Sequence, residues 1–307
     1  MSSLFPIAVL GAGAVGCYYA GRLAQAGYPV TLIARGSALT ALREAGLRVE
    51  SGGRTDTVEI TVGESPAAAR DAALVLVCVK SSDTAHAAQS LAPHLKTDAL
   101  VLSLQNGITN GDTLVEHLAQ RVVPAAVYVA TGLAAPGHVQ HHGGGALSIG
   151  SPPSRAVSRE QLDALAALFD RAGIPVTVHD TIRAVLWGKL VVNCTYNALS
   201  AITQHDYGTL VASEAIRSVM HAVISEAAAI ARAQGIDLGS DIHDRVMGVA
   251  AIMPRQLSST AQDVARRRPT EIDHLNGYIV REGQRLGIAT PINQTLHALV
   301  KQIESGV

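Results

Sequence analysis

No run of about 18 uninterrupted apolar residues occurs in the 307-residue sequence, so it offers no segment that would cross a bilayer as a helix. Neither charge sign is in excess. Lys plus Arg number 24 and Asp plus Glu 25, and the net charge of −1 leaves no basic footprint for nucleic acid or a membrane surface. Cysteine is scarce as well: Cys17, Cys78 and Cys194 lie far apart in apolar segments, the pattern of reduced core thiols, and their spacing suits no metal. The adjacent His141 and His142 are followed by Gly143, Gly144 and Gly145, which reads as a surface turn and not as a metal site. The first residues carry neither a basic stretch nor a small-residue cleavage site, so the start reads as mature and the protein as cytoplasmic. Internal repeats and low-complexity tracts are absent.

What is there is a hydrophobic fraction of 48% with 16% charged residues, which describes a soluble globular protein of a length that suits two domains. The first half alternates short apolar runs with helical stretches. Residues 7–10, 30–34, 73–79 and 99–104 read as buried strands. Residues 122–130, 146–149 and 176–179 add further strands, and 47–62 turns at Gly52 and Gly53 like a hairpin. Uninterrupted apolar strands separated by helices predict a parallel sheet covered on both faces. After Asp180 or Thr181, either of which suits a helix N-cap, everything follows the helical period. The expected fold class is therefore α/β, with a Rossmann-like dinucleotide-binding domain over 1–179 and an all-helical catalytic and substrate domain over 180–307. Alanine-rich helical surfaces suit a homodimer or internal packing alike.

The sharpest local pattern is Gly11-Ala12-Gly13-Ala14-Val15-Gly16, which follows a strand and opens a helix. Gly11 allows the tight turn, Gly13 lets backbone approach a pyrophosphate, and Gly16 lets the helix pack closely on the sheet. The helix-start amides at Ala14 and Val15 then face the phosphate charge. An enzyme selecting NAD places Asp or Glu at the end of the second strand; here Arg35 stands there, and a guanidinium pairs with a 2′-phosphate. NADPH is the cofactor this predicts. Two more strand ends carry polar residues, Lys80 and Asn106. Each reads equally as a contact to cofactor or substrate and as strand punctuation.

Lys189, Asn193 and Asn197 are spaced by four in an otherwise apolar helix. A helix advances about 100° per residue, so each step of four rotates only about 40°, and the three share one stripe. A buried lysine is costly unless paired or neutralised. Two readings follow: a lysine snorkelling to solvent beside amides that bond neighbouring helices, or a catalytic ammonium with two amides holding a polar substrate. Trp187, Val191 and Val192 argue against an exposed face. Pro269 and Thr270 predict a helix start, which puts Glu271 in a first turn, where acids are common for dipole reasons alone. It reads equally as a partner of the lysine. Arg266, Arg267 and Arg268 read as a solvated face.

Together these pieces resemble the ketopantoate reductase family over essentially the whole chain. The glycine loop, Lys80, Gln105-Asn106-Gly107 and Lys189-x-x-x-Asn193-x-x-x-Asn197 all match in order. So does the pattern of Ser258, Ser259, Asp263, Arg268, Thr270, Glu271, Ile272, Asp273, Asn276 and Gly277. The resemblance implies hydride transfer from NADPH to the 2-oxo carbon of ketopantoate, giving pantoate for vitamin B5 synthesis. It implies Lys189 as the proton donor to the developing alkoxide and Glu271 as its acidic partner. Asn193, Asn197, Ser259 and Asn106 would hold the substrate, and Lys80 with Asn106 would touch the cofactor. Tyr207 departs from the pattern, standing where the family carries another asparagine near the substrate's distal hydroxyl, and Ala198 replaces a proline. Another small 2-oxo acid is therefore an alternative substrate. A non-catalytic NADPH sensor is the alternative of a different class, although binding NADPH needs neither Lys189 nor Glu271.

Overall fold

Ile7–Leu10 form strand β1, and all four side chains are buried because neighbouring layers cover both faces. The computed structural model describes residues 5–152 and 154–306. The chain divides into two compact units, Met1–Ile182 and Arg183–Val307.

In the first unit β1 lies between β2 (Val30–Ile33) and β6 (Leu74–Val77), parallel to both, with Ile7 opposite Val30 and Leu74. The parallel run continues through β7 (Leu100–Ser103) to β8 (Arg121–Ala135) on one side and to β5 (Thr61–Gly63) on the other. Successive side chains point to opposite faces. Ile7 and Val9 therefore pack in a layer with Tyr19 and Leu23 of α1 (Ala14–Gln25) and Leu165 and Phe169 of α5 (Arg159–Arg171). Ala8 and Leu10 meet Ala88 and Leu91 of α3 (Thr84–Leu91) and Leu114 of α4 (Asn110–His117). This double covering is why the strands carry no polar alternation. A further helix, α2 (Gly36–Ala45), follows β2.

Beyond β8 the sheet departs from the all-parallel expectation. β8 turns back at Gly137 into β9 (His138–Gly150), antiparallel to it, and the hairpin of β3 (Leu47–Ser51) and β4 (Arg54–Val58) joins at β9. β10 (Val176–His179) also pairs with β9. The strand order is β4-β3-β9-β8-β7-β6-β1-β2-β5. His141 and His142 lie inside β9, not in a surface turn. The three glycines after them have φ of 145°, 72° and 127°, and the register shifts on either side of Val129 and Ala130 mark bulges. Glycine permits such a bulge as readily as a turn. The His141 ring stacks on Tyr18 at 4.7 Å.

The second unit is helical throughout its described residues. At its centre runs α6 (Ile182–Thr203), where Trp187, Leu190, Val191, Cys194 and Tyr196 are almost wholly buried. Around it lie α7 (Tyr207–Ala212), α8 (Glu214–Ala233), α9 (Ile242–Ile252), α10 (Ser259–Ala265), α11 (Asn276–Leu286) and α12 (Pro291–Ser305). Polar ties fix this packing. The Asn276 amide donates to the Cys194 carbonyl and to Asn293 Oδ1, both at 3.0 Å. Glu226 accepts from the amides of Ile292 and Asn293 at 2.9 Å and so caps α12 from another helix. No helix among the described residues is long and apolar enough to cross a membrane, and the three cysteines are free thiols.

Candidate active site

In the first unit, four parallel strand ends stand side by side: β2 leads to Arg35, β1 to the glycine loop, β6 to Lys80 and β7 to Asn106. Backbone bonds continue the register past the strands, from the Gly11 amide to the Ile33 carbonyl and from the Cys78 amide to the Leu10 carbonyl. The glycine loop is crowded at two positions and open at one. A Cβ on Gly11 would lie 2.9 Å from the Cys78 carbonyl, and one on Gly16 only 1.9 Å from the Gly11 oxygen. At Gly13, which caps α1, a Cβ would meet nothing within 4 Å. That opening lies beside helix-start amides at Ala14 and Val15, which have no acceptor within their own helix. The loop thus fits a dinucleotide pyrophosphate by shape and by its donors.

Arg35 is exposed and forms a loose ion pair with Asp83, 3.9 Å away. Such a pair holds the guanidinium weakly. The strand ends that carry Lys80 and Asn106 are tied to each other by Gln105, which the sequence motif includes, and by Ser81, Thr84 and Asn110. Ser81 Oγ donates to the Asn106 carbonyl at 2.8 Å, and Asn110 donates to that carbonyl and to Ser81 Oγ. Gln105 donates to the Val79 carbonyl at 3.1 Å and to Thr84 Oγ1 at 2.7 Å. Thr84 in turn donates to Asn110 Oδ1. This buried network welds the two strand ends together. Apart from Gln105 in the Gln105-Asn106-Gly107 motif, its sequence signal was a cluster of short polar residues after two apolar strands.

In the second unit Lys189, Asn193 and Asn197 share one side of α6. Lys189 and Asn193 are partly buried, and Asn197 is 2% exposed. Burial lowers the Lys189 ammonium from its ordinary 10.5 to about 8, and the charge of Glu271 opposes that fall. The structure thus couples Lys189 and Glu271 electrostatically across elements far apart in sequence. Glu271 does not sit in the first turn of an α-helix, as Pro269 and Thr270 suggested. It precedes a single 3-10 turn, Ile272–His274, and α11 begins only at Asn276, after a break at Leu275 with φ −110° and ψ −103°. The Asp273 carboxylate is bound by His297 and Lys301 of α12, and that long-range pull holds the turn short.

Ser258 caps α10 by accepting from the Ala261 amide and donates to the Asn197 carbonyl at 3.3 Å. The exposed Ser259 therefore starts α10 beside the end of the asparagine stripe. Arg266, Arg267 and Arg268 are exposed. Tyr207 is buried, its ring 4.4 Å from that of Tyr196 on α6, immediately before Asn197. Burial raises its phenol, so it stays protonated as a hydrogen-bonding group. Among the described residues no group of three or more His, Cys, Asp or Glu side chains is placed to hold a metal.

Comparison with known proteins matches residues 7–154 to the model of the ketopantoate reductase PanE/ApbA family and residues 181–304 to that of its C-terminal domain. A 2-dehydropantoate 2-reductase of Halobacterium salinarum is 35% identical over 298 residues, 96% of this chain and 97% of that protein. The corresponding protein of Vibrio cholerae is 35% identical over 97% of each chain. The crystal structure of a PanE/ApbA family ketopantoate reductase from Ralstonia eutropha is 51% identical, with a TM-score of 0.91 over 98% of this chain and 99% of that one. A ternary structure of D-mandelate dehydrogenase with NADH and anilino(oxo)acetate is 25% identical, with a TM-score of 0.90 over 98% and 99% of the two chains.

Proposed function

This chain belongs to the ketopantoate reductase family, and from that premise we propose that it reduces 2-dehydropantoate (ketopantoate) to (R)-pantoate in pantothenate biosynthesis, with NADPH as the reductant. The observation that carries this reading is the coupling of a partly buried Lys189 to Glu271 beside two asparagines. Bound NADPH supplies a hydride. The glycine loop at Gly11, Gly13, Ala14, Val15 and Gly16 suits its pyrophosphate, and the exposed, loosely paired Arg35 suits its 2′-phosphate. Lys80 and Asn106 stand on the adjoining strand ends, where ligands of open α/β sheets bind.

Reduction at the substrate's C2 turns its carbonyl oxygen into an alkoxide. Lys189 stabilises that charge and then protonates it. An ammonium lowered to about 8 gives up its proton more readily than an ordinary lysine. Glu271 keeps it from falling further, so Lys189 is charged when the reaction begins. Asn193, Asn197 and Ser259 hold the substrate's hydroxyl and carboxylate groups.

A second reading keeps these roles and moves the substrate to another small 2-oxo acid. Two observations favour it: the buried Tyr207 beside the asparagine stripe, and the similarity to a D-mandelate dehydrogenase solved with an oxoacetate. Either reading requires Lys189. Lys189→Ala is expected to lower turnover by about 10²–10⁴-fold while NADPH binding, followed by fluorescence titration, stays near wild type. Undiminished turnover would remove Lys189 from the mechanism.

A further inference from the structure

We propose that the C-terminal helix α12 positions Glu271, through Glu304 on one side of it and His297 with Lys301 on the other. The inference rests on the reading above, in which Glu271 serves the active site. Between the end of α10 at Ala265 and the 3-10 turn at Ile272 the chain has no regular secondary structure. A carboxylate carried on such a stretch needs external anchors to hold one place.

Two anchors flank it. Immediately before Glu271, the Thr270 amide donates to Glu304 Oε1 at 2.7 Å. Two residues after it, Asp273 accepts from Lys301 Nζ at 2.9 Å and pairs with His297 Nε2 at 2.6 Å. Lys301 also lies 2.7 Å from Glu304, so it ties the two anchors to each other. The three α12 side chains fall at 297, 301 and 304, spaced by four and three, and so share one face of that helix. Gly277 completes the arrangement: a Cβ there would lie 2.9 Å from His297 Nε2, in the space the imidazole uses to reach Asp273. The charged and titratable groups facing the segment are thus His297, Lys301 and Glu304 from α12 and Lys189 from α6, with His274 in the segment itself sensing both Glu271 and Arg281 of α11.

These contacts lie on the backbone and on Asp273, not on the Glu271 carboxylate, so the α12 residues act through Glu271 as positioning residues. Half-exposed ion pairs contribute little to stability, whereas a displacement of about 1 Å at a site can cost about 100-fold in rate. The signature of this role is therefore kinetic. If Glu271 drifts away, Lys189 loses the charge that supports its protonated form, and the alkaline limb of the kcat profile moves to lower pH.

The test compares Glu304→Ala, Glu304→Gln, Lys301→Met and Glu271→Gln in the full-length enzyme, reading kcat against pH with folding checked by circular dichroism. Glu304→Ala is expected to lower kcat by about 10–100-fold and to shift the alkaline limb in the same direction as Glu271→Gln. Glu304→Gln keeps an oxygen for the Thr270 amide and is expected to restore most of both. Lys301→Met, which leaves Asp273 to His297 alone and keeps the Glu304 oxygen for that amide, is expected to shift the limb as well, and it carries the test if Glu304→Ala does not fold. A folded Lys301→Met or Glu304→Ala enzyme with wild-type kcat and limb, beside an impaired Glu271→Gln, would overturn the positioning role. A silent Glu271→Gln would instead sink the reading of Glu271 on which the role rests.

Discussion

Lys189 is where sequence, energetics and function meet most closely. Its spacing from Asn193 and Asn197 was readable from the chain, and Trp187, Val191 and Val192 spoke against an exposed face; the chain alone left Glu271 open between a helix-start acid and a partner of the lysine, because 82 positions separate the two. An ammonium held at about 8 instead of 10.5 works against folding. Between those two values the unfolded chain binds more protons than the folded one, so wild-type stability should rise with pH across that window. Lys189→Met removes the desolvated charge. It is expected to be the more stable protein at pH 7, by about 1–3 kcal/mol, with the difference shrinking as pH climbs from about 8 towards 10.5. Urea melts of both proteins at pH 7 and pH 10 measure this. A difference that does not change with pH would mean that Lys189 titrates like a surface lysine. With Lys189 as the proton donor proposed above, the rate of reduction is expected to decline as pH rises through about 8.

The elements show why some local signals were sufficient and others misled. β1, β2, β6 and β7 were legible because each is a short, fully apolar run, and that pattern has one stable use between two helical layers. The glycine run at 143–145 was misread because a bulge and a turn require the same residue type, and only the partner strand β8 decides between them. The region around Glu271 misled for a similar reason. Pro269 and Thr270 do suit a helix start, but contacts from Asp273 to residues 24 and 28 positions away shorten it to one 3-10 turn. At the glycine loop the local and global signals agree, which allows two roles to be separated. Gly16→Ala forces a Cβ to within 1.9 Å of the Gly11 oxygen and is expected to lower stability by about 1–3 kcal/mol. Gly13→Ala meets nothing within 4 Å and is expected to melt near wild type, while binding NADPH at least about tenfold more weakly. Thermal melts with cofactor titration distinguish the two. Unimpaired binding by Gly13→Ala would move the pyrophosphate away from that opening.

For the whole molecule, the division into an α/β unit and a helical unit reflects two hydrophobic patterns in one chain, short uninterrupted apolar runs between helices in the first part and the helical period of 3.6 alone in the second. Family membership follows from motifs distributed along that entire length and agrees with relatives covering 96% and 97% of it. Substrate choice is the property that motif order leaves open, since a single side chain such as Tyr207 can reshape the room beside Asn197. The activity proposed for this protein is reduction of a 2-oxo acid by NADPH. Its most direct test is the rate of NADPH oxidation with 2-dehydropantoate, set beside a panel of other small 2-oxo acids and repeated with NADH. Rapid turnover with 2-dehydropantoate is expected, at a kcat/KM well above that with NADH or with the other acids. Tight NADPH binding with no 2-oxo acid reduced would contradict it.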